Sequence, residues 1–247
     1  MLSRDRHPDW MSHLDLPLDL QHQTLNGFSR LNRYTGVASA MYRYVRRAAI
    51  ARGKNRGGRN VLRVLDIASG AGEVPIAWCR RAAIDGIPLK VTATDICPAA
   101  IDQQQRRAEQ AGVPLNSIQL DCLASPLPAG FDLVTCSMFM HRLDNHHATR
   151  LLQAMQAVTD EGILICDWDR SRINLVFAAV ASHLISRSRI VHHDAGQAVR
   201  AAFTADEFKR LSEHALARPV RVRRGLPCRY IIGLDEKSVP ETAVAFA

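Results

Sequence analysis

The stretch Val61-Leu62-Arg63-Val64-Leu65-Asp66-Ile67-Ala68-Ser69-Gly70-Ala71-Gly72-Glu73 leaves few folds open to this chain. A nearly unbroken Val/Leu/Ile run suits a strand buried on both faces, as the central strands of parallel sheets are. The run closes on an acid, Asp66, and passes into a small-residue turn. There Gly70 and Gly72 permit a tight backbone path with close approach to a ligand. Strand, glycine-rich turn and helix, in that order, make the nucleotide-binding corner of an open α/β sheet.

Two kinds of ligand use such a corner. A dinucleotide fingerprint, G-x-G-x-x-G, needs its third glycine for close helix packing and leaves the helix N-terminus to a pyrophosphate. Here Pro75 holds the third position, which a first helical turn tolerates. Glu73 sets a negative charge at the mouth, which repels a pyrophosphate and suits a cation. On these residues, Val64 to Gly72 resembles motif I of the class I S-adenosylmethionine-dependent methyltransferases, whose cofactor carries a sulfonium and an ammonium. The family's first glycine is Ala68 in this chain. The resemblance implies that Asp66, Ala68, Ser69, Gly70, Gly72 and Glu73 bind S-adenosylmethionine.

The rest of the chain extends the pattern. Helix Glu73 to Asp85 leads to a strand, Leu89 to Asp95. Asp95 lies twenty-three residues past Gly72, near the spacing at which a strand-end acid accepts hydrogen bonds from ribose hydroxyls. A helix-capping aspartate ahead of Pro98 is the other reading of it. Ile96 to Ala111 reads as a helix and Ser117 to Asp121 as a short strand. In the resembled family the residues at these strand ends touch the cofactor, which implicates Ile96 beside Asp95, and Asp121 with Cys122 at the adenine. A plain loop role for Asp121 stays open. Phe131 to Ser137, the fourth strand, resembles motif IV, and so implies that Ser137 and Met138 lie at the cofactor and His141 near the methyl group. Asp144 is placed to cap a helix carrying Leu151, Leu152, Met155 and Val158, and Gly162 to Trp168 is the fifth strand. Two final strands, about Pro219 to Arg224 and Arg229 to Leu234, would pair antiparallel. The expected fold is α/β: a doubly wound, mostly parallel seven-stranded sheet with an antiparallel C-terminal hairpin, Rossmann-like, under an N-terminal helical cap.

Met1 to about Leu20 lacks a sustained period and reads as a loose arm. Gln21 to Ala51 is helical, with Leu25, Phe28, Leu31 and Tyr34 at three-residue spacing and a break at Gly36. The Arg30, Asn32, Arg33, Tyr34 cluster faces either solvent or the substrate mouth. Arg52 to Asn60, basic and glycine-rich, reads as a linker. The organisation expected is residues 1–59 as arm and cap, and 60–247 as the methyltransferase domain with a lid insertion at about 170–203. Ile173 to Ile185 is apolar nearly all round and too short to span a bilayer, so it is expected to be covered by protein or ligand. Thr204 and Glu207 have capping-box spacing, and the tail from Asp235 is expected to fray.

Methyl transfer from a sulfonium is an in-line displacement that needs alignment, exclusion of water and, where the acceptor must lose a proton, a base. His141 is the candidate catalytic residue. Arg170, Arg189 and Arg200 flank the lid and are candidate substrate-binding residues for a carboxylate or phenolate, with plain surface roles as the alternative. His192-His193-Asp194 lacks a third ligand at metal-site spacing, so no metal is expected. Six cysteines without CxxC spacing read as reduced residues of a cytoplasmic protein. No leader and no membrane span are expected. The net charge of +8 is spread over arginines in several segments without an aromatic stacking pattern, which disfavours nucleic acid as a partner.

The function expected is methyl transfer to oxygen or carbon of a small amphiphilic acceptor, phenolic, quinone-like or polyketide. Among members of the family, the chain is similar to the ubiquinone/menaquinone-type and type III polyketide-associated enzymes, the latter through Leu31-Asn32-Arg33 and the segment from Ser186 to Thr204. RNA or protein methylation is an alternative, although Ser137-Met138-Phe139-Met140 replaces the Asn-Pro-Pro-Tyr type of motif IV. A NAD-dependent oxidoreductase or a non-catalytic nucleotide-binding module is the other. The sequence leaves oligomeric state undetermined.

Overall fold

The computed structural model describes residues 2–6, 17–55, 61–186, 188–225 and 229–235. In β1 (Leu62–Ile67) the two-residue period of a strand sends Leu62 and Val64 to one face and Leu65 and Ile67 to the other, all four fully buried. Leu62 and Val64 join Val91, Leu133, Leu164 and Cys166 beneath Met41, Tyr42 and Val45 of α2 (Val37–Asn55) and Trp78 of α3 (Glu73–Ile84). Leu65 and Ile67 join Val134, Cys136, Ile163 and Ile165 beneath Leu151, Leu152 and Met155 of α5 (Asn145–Ala157) and Phe208 of α8 (Ala205–Leu216). Both faces of the central strand are therefore covered, which is why its sequence does not alternate.

The remaining strands are β2 (Leu89–Asp95), β3 (Asn116–Gln119), β4 (Phe131–Ser137), β5 (Thr159–Trp168), β6 (Arg221–Gly225) and β7 (Arg229–Asp235). They form one sheet in the order β3-β2-β1-β4-β5-β7-β6. The first five are parallel, and β7 runs antiparallel to both β5 and β6. This is the expected doubly wound, seven-stranded sheet with its antiparallel end. Strand order reverses between β1 and β4, and a crevice opens at their C-terminal ends. Over it lie α1 (Leu18–Tyr34) and α7 (Arg189–Ala201), with α6 (Arg172–Ile185) packed on both; α4 (Pro98–Ala111) flanks β2 and β3. Thr204 and Glu207 form both hydrogen bonds of the capping box at α8, and the Asp144 side chain accepts from His147 N at the start of α5.

Several expectations are corrected. The basic stretch from Arg52 is not a linker throughout: α2 continues to Asn55, and residues 56–60 lie outside the described ones. Arg52 is buried, its Nη1 3.0 Å from a carboxylate oxygen of the fully buried Asp132, which also accepts from Arg63 N at 2.8 Å. A distant buried acid, invisible to local composition, draws the helix onward. Residues 2–6 of the supposed loose arm are strapped down. Arg4 lies 3.5 Å over the Phe203 ring and donates to Leu143 O (2.6 Å) and Ala201 O (2.7 Å). Tyr34 is exposed, and α6 is not covered all round: Ile173, Val176, Val180 and Leu184 form an outward stripe, 54–82 % exposed. Arg187, Cys228 and the tail beyond Asp235 fall outside the described residues.

Candidate functional site

The turn after β1 is built on backbone conformations that side chains resist. Ala68, Gly70 and Gly72 all have positive φ (52°, 55° and 78°), and Met138, facing them after β4, has φ 57°. Non-glycine residues held there store of order 1 kcal/mol each, and such strain gathers at functional sites. A Cβ on Gly72 would lie 2.9 Å from Gln104 Cγ, so this position needs glycine twice over. The turn is fixed from below. Ser69 N donates to Thr94 O (2.8 Å), Gly70 N to Asp95 Oδ2 (2.8 Å), and Gln104 Nε2 to Gly70 O (2.8 Å).

Asp66 is the anchor under this turn. Fully buried, it accepts from Ser69 Oγ (2.7 Å) and Thr135 Oγ1 (2.6 Å). Burial pushes its carboxyl up to about 7, the two hydroxyl bonds opposing and the nearby Glu73 and Asp95 charges adding. Asp95 ends β2 with Oδ2 on Gly70 N and Oδ1 on Cys97 N (3.0 Å). Burial raises its carboxyl, against the pull of those backbone bonds. Glu73 opens α3 and accepts from Asn32 Nδ2 at 2.6 Å; burial raises it too, and the Asn32 bond opposes. Asp121 Oδ1 accepts from Leu123 N (2.9 Å) and Ala124 N (3.2 Å), so it shapes its own loop. Burial and the Asp121 charge push the Cys122 thiol up to about 12, which keeps it neutral.

These residues surround a cavity of about 430 Å³ at the β1/β4 switch point. It is roofed by one face of α1, Gln21, Leu25, Phe28 and Asn32, and by Asp194, Ala195 and Ala198 of α7. Trp168, Phe139 and Leu143 supply an apolar side. Among the described residues Glu73, Asp95, Asp121 and Asp194 face one arginine, Arg142, an acid excess that favours a cationic ligand. His141, in a short 3₁₀ turn (Met140–Arg142), also lines it. Its Nδ1 is 2.8 Å from Asp167 Oδ1 and its backbone N donates to Asp167 Oδ2 (2.9 Å), with Asp167 fully buried at the end of β5.

Residues 64–162 match the family model described as a methyltransferase domain. The chain carries an S-adenosylmethionine-dependent methyltransferase domain. No curated protein matches it significantly. Among solved structures, this methyltransferase is similar to magnesium protoporphyrin IX methyltransferase from Synechocystis, crystallised with bound S-adenosylhomocysteine. The two share 12 % identity over 93 % of this chain and 88 % of that one, with a TM-score of 0.53. It is also similar to an O-methyltransferase family 2 protein from Planctomyces limnophilus in complex with apigenin. That likeness has 18 % identity over 71 % of this chain and 50 % of the other, with a TM-score of 0.52. At these identities the likeness is one of fold.

Of the cofactor candidates read from the sequence, Ala68, Ser69, Gly70, Glu73, Asp95, Ile96, Asp121, Cys122, Ser137 and Met138 line the cavity. Asp66 and Gly72 support it from behind. The three substrate arginines do not reach it. Arg170 is buried and committed elsewhere, donating to Leu2 O (2.9 Å), Ala202 O (2.6 Å) and Glu207 Oε1 (2.6 Å). Arg189 and Arg200 are exposed on α7, whose cavity face carries Ala195 and Ala198. Arg200 lies two residues beyond Ala198, about 200° round the helix. Arg142, Trp168 and Asp194 escape the sequence reading as cavity residues, and for Asn32 the structure selects the substrate mouth over solvent. The signal for Asn32 was available in the helical face 21, 25, 28, 32, which the three-residue spacing ending on Tyr34 obscured. Among the described residues no group of three His, Cys, Asp or Glu is placed to share a metal, and no helix is long and apolar enough to cross a membrane.

Proposed function

We propose that this methyltransferase methylates an acidic hydroxyl, phenolic or enolic, of a small and largely apolar acceptor, with His141 as the base. The observation that carries the reading is the His141–Asp167 dyad at the cavity wall. Asp167 also accepts from Trp168 N at 2.8 Å, so it is held rigidly. With Asp167 accepting the Nδ1 proton, the hydrogen-bond network assigns the tautomer whose Nε2 is a free acceptor. An acceptor hydroxyl beside His141 gives its proton to Nε2, and the buried carboxylate stabilises the imidazolium that results.

S-adenosylmethionine, when bound, supplies an electrophilic methyl group on a positively charged sulfur. The residues around the cavity suit it. Each Asp95 oxygen, besides its backbone bond, retains a lone pair for a ribose hydroxyl. Asp121 and Cys122 stand at the adenine, Glu73 and Asn32 near the ammonium, and Ser137 and Met138 beside the sulfonium. Phe28, Leu31, Phe139 and Trp168 exclude water and present an apolar surface to the acceptor. The acceptor named for the Synechocystis relative and the apigenin bound to the Planctomyces one accord with a small-molecule substrate. Residues 1–59 then act as cap and 60–247 as catalytic domain, with 170–203 as lid, because α1 and α7 roof the cavity. The unpaired cysteines among the described residues accord with a cytoplasmic setting.

The test is methyl transfer from S-adenosylmethionine to a panel of phenols, enols and quinols, with RNA and protein substrates alongside, read by mass spectrometry. His141→Gln is expected to lower kcat by about 10²–10⁴-fold and to keep S-adenosylhomocysteine affinity. Methylation of RNA or protein alone, or an unchanged kcat in His141→Gln, would overturn the proposal.

A further inference from the structure

Behind the wall formed by Ser29, Asn32 and Glu73, which face both spaces, lies a second cavity of about 1010 Å³. Four arginines enter it. Arg30 and Arg33, three residues apart, share one face of α1; Arg80 comes from α3 and Arg107 from α4. Among the described residues Glu73 is the one carboxylate in its lining. Charge is thus segregated across a shared wall: acids crowd the cofactor cavity, and guanidinium groups crowd this groove.

One of these arginines ties helices together and three do not. Arg107 is fixed in place, Nη1 donating to Ser29 Oγ (2.6 Å) and Nη2 to Asn26 Oδ1 (2.5 Å). Arg30, Arg33 and Arg80 are exposed and make no hydrogen bond or ion pair among the described residues. Like charges gathered round one space repel, and a bound anion removes that repulsion. The field is strengthened at the α6–α7 turn. The α7 N-cap, Ser188, lines the groove without making a capping bond, leaving the positive end of a thirteen-residue helix uncapped by its own side chain. Among the described residues the lining contains no aromatic side chain, hence no platform on which a nucleobase would stack. Guanidinium groups converging from three helices match an anion with several oxygens.

We propose that this groove binds a small polyanion of the diphosphate class, held by Arg30, Arg33, Arg80 and Arg107. Its anion is either a free phosphate compound or the charged head of a larger acceptor lying across the shared wall.

Calorimetric titration of the full chain with inorganic pyrophosphate tests the site. Binding is expected in the wild type, weakened tenfold or more in the Arg30→Ala/Arg80→Ala double variant, with S-adenosylhomocysteine affinity unchanged within twofold. That second reading certifies the fold and keeps a failure here separate from a failure of the methyltransferase site. A control pair remote from the groove, Arg150→Ala/Arg223→Ala, removes the same charge and is expected to leave pyrophosphate binding intact. Geranyl diphosphate distinguishes the sources: tighter binding than pyrophosphate places the anion on an acceptor, and equal binding makes it a free phosphate. Absent pyrophosphate binding, equal weakening by both double variants, or an RNA oligonucleotide bound more tightly than pyrophosphate through Arg30 and Arg80 would overturn the proposal.

Discussion

Gly72→Ala strikes the turn that shapes the cofactor cavity. Gly72 sits at φ 78°, ψ 11°, a left-handed conformation that costs an alanine about 1–2 kcal/mol. The new Cβ would meet Gln104 at 2.9 Å from Cγ and 3.4 Å from Cα. Gln104 is fully buried and its Nε2 holds Gly70 O, so the side chain cannot retreat and keep that bond, worth about 1 kcal/mol. The combined loss is about 2–3 kcal/mol, equivalent to a fall in Tm of about 5–10 °C for a domain of this size. Because Gly70 N is the donor to Asp95, displacement of the turn also loosens the carboxylate offered to the ribose. Thermal unfolding with S-adenosylhomocysteine titration is the assay, and Gly70→Ala is the comparison. At Gly70 φ is 55° but a Cβ meets nothing within 4 Å, so only strain is added. A Gly72→Ala protein within about 0.5 kcal/mol of wild type, or a Gly70→Ala protein that loses more, would refute the reasoning.

Two further perturbations probe the supports of the site. Asp66 has a carboxyl raised from 3.8 to about 7, so the folded state holds its proton more tightly than the unfolded one. The cost of burying it is absent below about pH 4, grows as pH rises, and is complete above about 7, reaching a few kcal/mol. Asp66→Asn is therefore expected to flatten the decline of Tm between pH 5 and 8; parallel declines would contradict the assignment. Arg4→Ala removes the cation over Phe203 and the bonds to Leu143 O, Ala201 O and His141 O. A loss of about 1–3 kcal/mol and faster amide exchange over Met140 to Leu143 are expected, and unchanged exchange there would show that the strap does not steady the His141 turn.

The sheet was legible because its signals are local. A strand buried on both faces is a continuous apolar run, and Gly70, Gly72, Gly86 and Gly112 take positive φ where the sequence breaks. Asp95 and Asp121 could be placed because acids at the ends of parallel strands share one edge of the sheet. The same rule would have found Asp167, which ends β5 next to β4 and meets His141 across 26 residues. What escaped depends on partners far along the chain. Arg52 looked like linker composition until Asp132 accepted it, and Arg170 looked like a substrate arginine until Leu2, Ala202 and Glu207 did. The outward stripe of α6 escaped because an apolar helix does not announce which side is left uncovered.

Titration of the purified protein with S-adenosylhomocysteine and, separately, with NAD, repeated on Asp95→Ala, tests the central claim most directly. Micromolar binding of S-adenosylhomocysteine, weakened about tenfold or more by Asp95→Ala, with none for NAD, is the predicted result. A folded protein that binds neither ligand, or binds NAD instead, would contradict it.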